Sequence, residues 1–375
     1  MILLGRDGGE GPTGHLGACL ARDGSAGARV EVDMDRPHAG VVVGKRGYGK
    51  SYTLGVLAEE LAAARGPAPV VVDPMGAFES LAVGMSGARY VASPTVRATA
   101  VPPRAWPAML DLSPTSGAGG LVWRAAAETV TLAGMREHVR ASDADRTTRR
   151  AAENHLRLAA SWGVFDPDGL ASGDLVASPA TVLDCSGLAA PPANAVVRAV
   201  ASGLYEACVD RSVDRLPWLL VDEAHAFFDG GRGGAPASGG SATTGSSAGA
   251  IAAPALETVL TRGRAPGVSL VLATQRPAAL PAVAVSQADL LVAHRLTAEP
   301  DLDALERVRP AYATRGLVER VPDATGEALV VDDATEAVHA VTVRERETSH
   351  DGGDARASVR PVAGETSTDR GAPQG

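Results

Sequence analysis

From Val41 to Gly66 the chain reads "VVVGKRGYGKSYTLGVLAEELAAARG". Both lysines of the protein, Lys45 and Lys50, lie in this stretch, and every other basic side chain counted with them is an arginine. A loop that wraps an oxyanion needs glycines, so that the backbone can close around it, and one compact cation on a flexible stem. Gly44-x-x-x-x-Gly49-Lys50-Ser51 has that form, with the Ser51 hydroxyl placed for Mg²⁺. The flanks agree. Gly40-Val41-Val42-Val43 reads as a short buried strand, Leu54, Leu57, Ala58 and Leu61 recur at helical spacing on one face, and Arg65-Gly66-Pro67 closes the helix. Strand, glycine loop and helix in succession separate a phosphate cradle from a glycine-rich turn in a chain with 43 Gly. The nucleotide-binding set expected is Gly44, Lys45, Arg46, Gly47, Tyr48, Gly49, Lys50, Ser51 and Tyr52. The motif leaves position 45 free, so Lys45 receives no catalytic role.

With 375 residues the chain can form one large α/β domain or two smaller ones. Aromatic residues make up 3%, which leaves few rings for stacking bases along a nucleic acid. A net charge of −9 argues against a broadly basic outer face but leaves room for a basic lining inside a ring. Cys19, Cys185 and Cys208 are odd in number and widely spaced, which suits a reducing compartment and no metal site. No apolar run approaches the roughly 18 residues of a membrane span, so a soluble, cytoplasmic protein is expected.

Residues 1–39 read as a short N-terminal β segment, too small for an independent domain. Residues 40–346 read as the main domain, with a helical, arginine-rich insertion at about 118–162 whose Arg146, Arg149 and Arg150 are read as a solvated face. Residues 229–250, rich in Gly and Ser, are expected to be a flexible loop, and 347–375 a disordered tail. Buried strands are expected at "PVVVDPMGAF", "ATVLDCSGL", "LPWLLVDEAHAFF", "VSLVLATQ" and "DLLVAHRL", with shorter ones at "GEALVVDD" and "AVHAVTVRER". Strands alternating with helices, most of them apolar without alternation, indicate a mostly parallel sheet covered on both faces.

"WLLVDEAHAF" supplies the second half of a phosphate-transfer site. The apolar run Trp218 to Val221 delivers Asp222 to a strand end, where it can hold Mg²⁺, and Glu223 can then polarise a water. The letters DEAH also suggest the DEAH-box helicases, but the chain beyond Glu223 is too short for a second motor domain. Instead "TRGRAPGVSLVLATQRPAALP" follows. Taken in order, "GKRGYGKSYTLG", "VVVDPMGAF", "TVLDCSGL", "LLVDEAHAF", "GRAPGVSLVLATQRP", "VAHRL" and "VRERETSH" resemble the HerA/FtsK superfamily of P-loop ATPases, most of all archaeal HerA-like ATPases.

The resemblance implies a RecA-like sheet in which the "SLVLATQ" strand lies between the P-loop strand and the Asp222 strand. Gln275 would then face the γ-phosphate of ATP as a sensor, since an amide both donates and accepts. Lys50 and Glu223 would be catalytic, and Arg264, through its Arg-x-x-Gly spacing to Gly267, would act across a subunit interface, with Arg262 as the alternative. Asp184 and His294 are read as structural. The implied function is an ATP- and Mg²⁺-dependent motor, a ring and probable-hexamer geometry being the family's form, acting on double-stranded DNA as translocase or helicase. The alternative is a non-motor P-loop ATPase that switches partner binding. The family usually carries a β-barrel ahead of the P-loop that contacts a nuclease partner; here fewer than 40 residues precede the loop. Ala77 also stands where the family often has an acidic residue.

Overall fold

The computed structural model describes residues 1–21, 23–228, 251–307, 310–313 and 316–350. The expected loop at 229–250, and the expected tail from 351 onward, lie outside the described residues. Among the described residues, twelve strands form one sheet in the order β1-β3-β2-β12-β11-β10-β4-β9-β8-β5-β7-β6. They are β1 (Ile2–Leu4), β2 (Thr13–Leu20), β3 (Ala26–Asp33), β4 (Ala39–Val43), β5 (Pro67–Asp73) and β6 (Arg89–Val91). The rest are β7 (Thr181–Asp184), β8 (Leu216–Val221), β9 (Ser269–Thr274), β10 (Leu290–Ala293), β11 (Glu327–Asp332) and β12 (Ala337–Val343).

From β10 to β6 every pairing is parallel. Strands β4, β5 and β9 are buried along their whole length, which is why they read as unbroken apolar runs. Successive side chains still alternate between faces: Val41 and Val43 join one core and Val42 the other. The strand order β4-β9-β8 places the "SLVLAT" strand between the other two, as the motif order implied. Asp73, Asp184, Asp222 and Gln275 therefore all arrive at the carboxyl ends of the strands, where ligands bind in open α/β sheets.

Beyond β10 the sheet turns antiparallel through β11, β12 and β2. The N-terminal strands extend this edge and form part of the same sheet. The insertion is three helices, Gly117–Glu128, Leu132–Ala141 and Arg146–Ser161. Each is begun by an oxygen that accepts from the first turn: Ser116 from Gly119, Thr131 from Gly134, and Asp145 from Thr147 and Thr148. Their apolar faces close a separate core around Trp106, Leu121, Met135 and Leu156. The reading of a tail from 347 is corrected at its start. Thr348 is buried, and its amide donates to Glu59 at 2.9 Å, so the chain is fastened up to that point. Among the described residues, no helix is long and apolar enough to cross a membrane.

Candidate nucleotide site

The loop between β4 and helix α1 (Lys50–Ala63) takes its shape from its glycines: Gly44, Gly47 and Gly49 have φ of 156°, 82° and 119°. These angles strain any residue with a Cβ. Two of the three are also tight, because a Cβ on Gly44 would meet the Cβ of His294 at 2.6 Å and one on Gly49 would meet its ring at 3.0 Å. His294 is wholly buried. Its Nε2 lies 2.9 Å from the Thr53 hydroxyl and its Nδ1 2.8 Å from the Glu327 carbonyl. Burial pushes its pKa down to about 4, so the ring behind the loop is neutral. The "VAHRL" strand end is thus a buttress for the cradle. Its next residue, Arg295, accepts the Lys45 amide on its carbonyl at 2.7 Å and lies over the Tyr48 ring, 5.7 Å from its centre.

The expected cradle divides accordingly. Arg46, Gly47, Gly49, Lys50, Ser51 and Tyr52 line one open cleft of about 2170 Å³. Gly44, Lys45 and Tyr48 lie outside that lining, and the Lys45 amide is engaged by the Arg295 carbonyl. The first amides of α1 have no acceptors within the helix and face the same cleft, which favours an anion there. Lys50 is 4% exposed, and burial lowers its pKa although Glu223 and Asp222 lie close enough to oppose the shift.

Asp222 and Glu223 reach this cleft from the end of β8. One Asp222 oxygen accepts the Ser51 hydroxyl at 2.8 Å, the other the Glu223 amide at 2.9 Å. Burial pushes the Asp222 carboxyl up to about 6, further helped by the Glu223 charge. A hydroxyl and a carboxylate touching at the end of a phosphate cradle are a hard-oxygen donor set suited to Mg²⁺, whose other ligands are phosphate oxygens and water. Glu223 sits at φ 45°, in left-handed backbone that a long side chain rarely adopts. Burial works to raise its pKa, but His225 and Lys50 bring it below the usual range. Its buried Oε2 lies 3.3 Å from His225 Nδ1.

Gln275 lines the cleft beside them, and its backbone makes a hydrogen bond to Glu223. Arg264 does not join this site. It precedes β9 at the opposite end of the strand and donates to Asp289 at 2.6 Å, with 68% of its side chain exposed. Any part it takes in hydrolysis must be in a neighbouring subunit's cleft. Asp184 accepts from Tyr90 and Ser186, and Asp73 from the amides of Met75 and Phe78, so both shape loops.

Sequence reasoning missed His225, which stands between Glu223 and the Thr274 hydroxyl, 3.2 Å away. A histidine two residues after Glu223 was the available signal. It also missed the wall formed by Thr325, Gly326, Thr342, Glu345 and His350, which comes from the far end of the chain.

No protein-family model and no curated protein matches the sequence. Solved structures do match the fold. VirB4 of Thermoanaerobacter pseudethanolicus superposes with a TM-score of 0.67 at 16% identity, covering 92% of this chain and 99% of that one. The bacterial conjugative coupling protein TrwB superposes with a TM-score of 0.55 at 15% identity, covering 93% and 98%. Plasmid coupling protein TrwB in complex with the non-hydrolysable GTP analogue GDPNP gives 0.54 at 15% identity, covering 84% and 88%. The chain shares with them the α/β fold of RecA-like P-loop NTPases, a large and mostly parallel sheet.

Proposed function

We propose that this protein hydrolyses ATP as a motor of the HerA/FtsK type, assembled as a ring of about six subunits that moves on double-stranded DNA. The observation that carries the reading is Glu223: a strained, ionised carboxylate beside His225, lining the cleft that holds Lys50. A carboxylate in that state can orient a water and take its proton. A module that only binds nucleotide has no use for it.

Lys50 and the cleft-lining amides would bind the β- and γ-phosphates, and Ser51 with Asp222 would hold Mg²⁺, whose charge neutralises the phosphates. Gln275 would report on the γ-phosphate from the end of β9. Arg264 would complete a neighbour's site. TrwB, a coupling protein whose fold this chain shares and which is seen with a GTP analogue, supports a nucleotide-driven role.

Turnover measured with and without duplex DNA across salt concentrations, beside native mass measurements, tests the reading. Stimulation that fades with salt, in an assembly of several subunits, is expected. Turnover indifferent to DNA at every salt concentration would support the partner-switch reading, which the net charge of −9 favours. Mixing Arg264→Ala with Glu223→Gln subunits tests the arginine: mixed rings should recover activity that neither variant has alone.

A further inference from the structure

The closing motif "VRERETSH" (Val343–His350) has no part in the phosphate end of the site, yet α1 holds it firmly. Glu59, buried on α1 with its side chain 3% exposed, accepts from the Glu347 amide at 3.1 Å, the Thr348 amide at 2.9 Å and the Thr348 hydroxyl at 2.6 Å. The same carboxylate pairs with Arg344 at 2.9 Å and Arg346 at 3.4 Å, while Arg344 also reaches Glu60 at 2.7 Å. The Tyr52 hydroxyl accepts the Arg346 amide at 2.7 Å. Room for the strap is built into the helix: a Cβ on Gly55 would strike the Arg346 guanidinium at 2.6 Å.

This anchoring sets a second wall on the cleft. The His350 ring stands edge-on to Tyr52, centres 5.4 Å apart at 84°, and Thr325, Gly326, Thr342 and Glu345 complete the wall. Its chemistry is unlike that of the cradle. It offers two ring surfaces, hydroxyls and a carboxylate acceptor, where the other end offers amides and a lysine. Phosphates belong to the latter. Rings suit the face of a base, and hydroxyls with a carboxylate suit ribose hydroxyls and an exocyclic amine.

We propose that the strap Arg344–His350, fastened to α1 through Glu59, forms with Tyr52 the subsite for the nucleoside end of the nucleotide. The inference rests on the nucleotide reading of the cleft. It makes the strap a reporter of the occupant, because a base held against Tyr52 and His350 adds contacts to a segment that Glu59 already fastens.

Binding of ATP and of inorganic tripolyphosphate, each with Mg²⁺, separates the two claims. In wild-type protein ATP should bind more tightly than tripolyphosphate. His350→Ala should weaken ATP about tenfold, within the range for losing one base–aromatic contact, and leave tripolyphosphate within about twofold. Hydrogen exchange at the Arg346, Glu347 and Thr348 amides should slow with ATP and not with tripolyphosphate, a readout that needs no variant. Equal wild-type affinity for the two ligands, or strap exchange indifferent to which is bound, overturns the subsite and leaves the cradle standing. Equal weakening of both ligands in His350→Ala overturns it too. Wild-type protein that binds neither removes the nucleotide reading along with it.

Discussion

The two ends of the parallel strands treat buried charge in opposite ways. At the amino ends of β4, β9 and β10, charges alternate and cancel. Arg6 pairs with Asp33 at 3.0 Å, and His38 lies 3.5 Å from Asp33 and 2.9 Å from Asp289, which also binds Arg264. Burial opposes the charge on His38, but Asp289 and Asp33 together push its pKa up to about 9. At the carboxyl ends the balance is left open. Asp222 and Glu223 stand side by side, burial and the Glu223 charge push Asp222 up to about 6, and His225 lies 3.3 Å from Glu223. Matched charges hold a structure together. Unmatched ones await a ligand that brings charge of its own.

The contrast can be broken first at the matched end. Asp33→Ala strands Arg6 and a protonated His38 in a buried setting, and should cost about 3–5 kcal/mol in denaturant unfolding, without changing ATP affinity. Comparable loss of nucleotide binding would show that the two ends are coupled. At the open end, Glu223→Gln should keep ATP binding and lower turnover at least about a hundredfold, the scale of a missing general base. Near-normal hydrolysis would remove Glu223 from the chemistry.

Titration sharpens the contrast further. Asp222 has a folded pKa above its unfolded one, so the free protein loses stability as pH rises from about 4 to about 6. Asp222→Asn should therefore stabilise the nucleotide-free protein above pH 6, by up to about 3 kcal/mol, while abolishing Mg²⁺-dependent binding. His38 is also raised, so its contribution is complete below about pH 6.5 and is lost as pH climbs towards about 9. An alkaline thermal melt that is flat across that window would count against the protonated histidine. The smallest effect belongs to Arg264→Ala, whose exposed pair with Asp289 should be worth less than about 1 kcal/mol. A larger loss of stability would mark the arginine as structural.

The parallel half of the sheet was legible because burial on both faces leaves apolar runs that end in chemistry-bearing residues, as "WLLVDE" does at Glu223. The phosphate end of the site was legible for the same reason: its residues are neighbours in sequence. Starts of helices were less so. The helix Ala190–Val209 carries prolines in its first turn, where a missing amide costs nothing, and such residues disguise a helix start in the sequence. Contacts between distant segments left no local signal. Nothing near Glu59 announces that residues 344 to 348 will use its carboxylate, and nothing near Gly49 announces that His294 will fill the space a side chain would take. Nor does anything near Lys45 announce that its amide will donate to Arg295, far along the chain.

Strand β12 enters the sheet beside β2, where Val341 faces Cys19 and Val343 faces Gly17. During synthesis β1 to β3 emerge early, but the partner that covers their inner edge is made hundreds of residues later. Until then β2 presents an unpaired row of amides and carbonyls, a template for any extended chain nearby. Closing the sheet is therefore a long-range step, and until β12 is made the nascent protein is exposed to strand-swapped association.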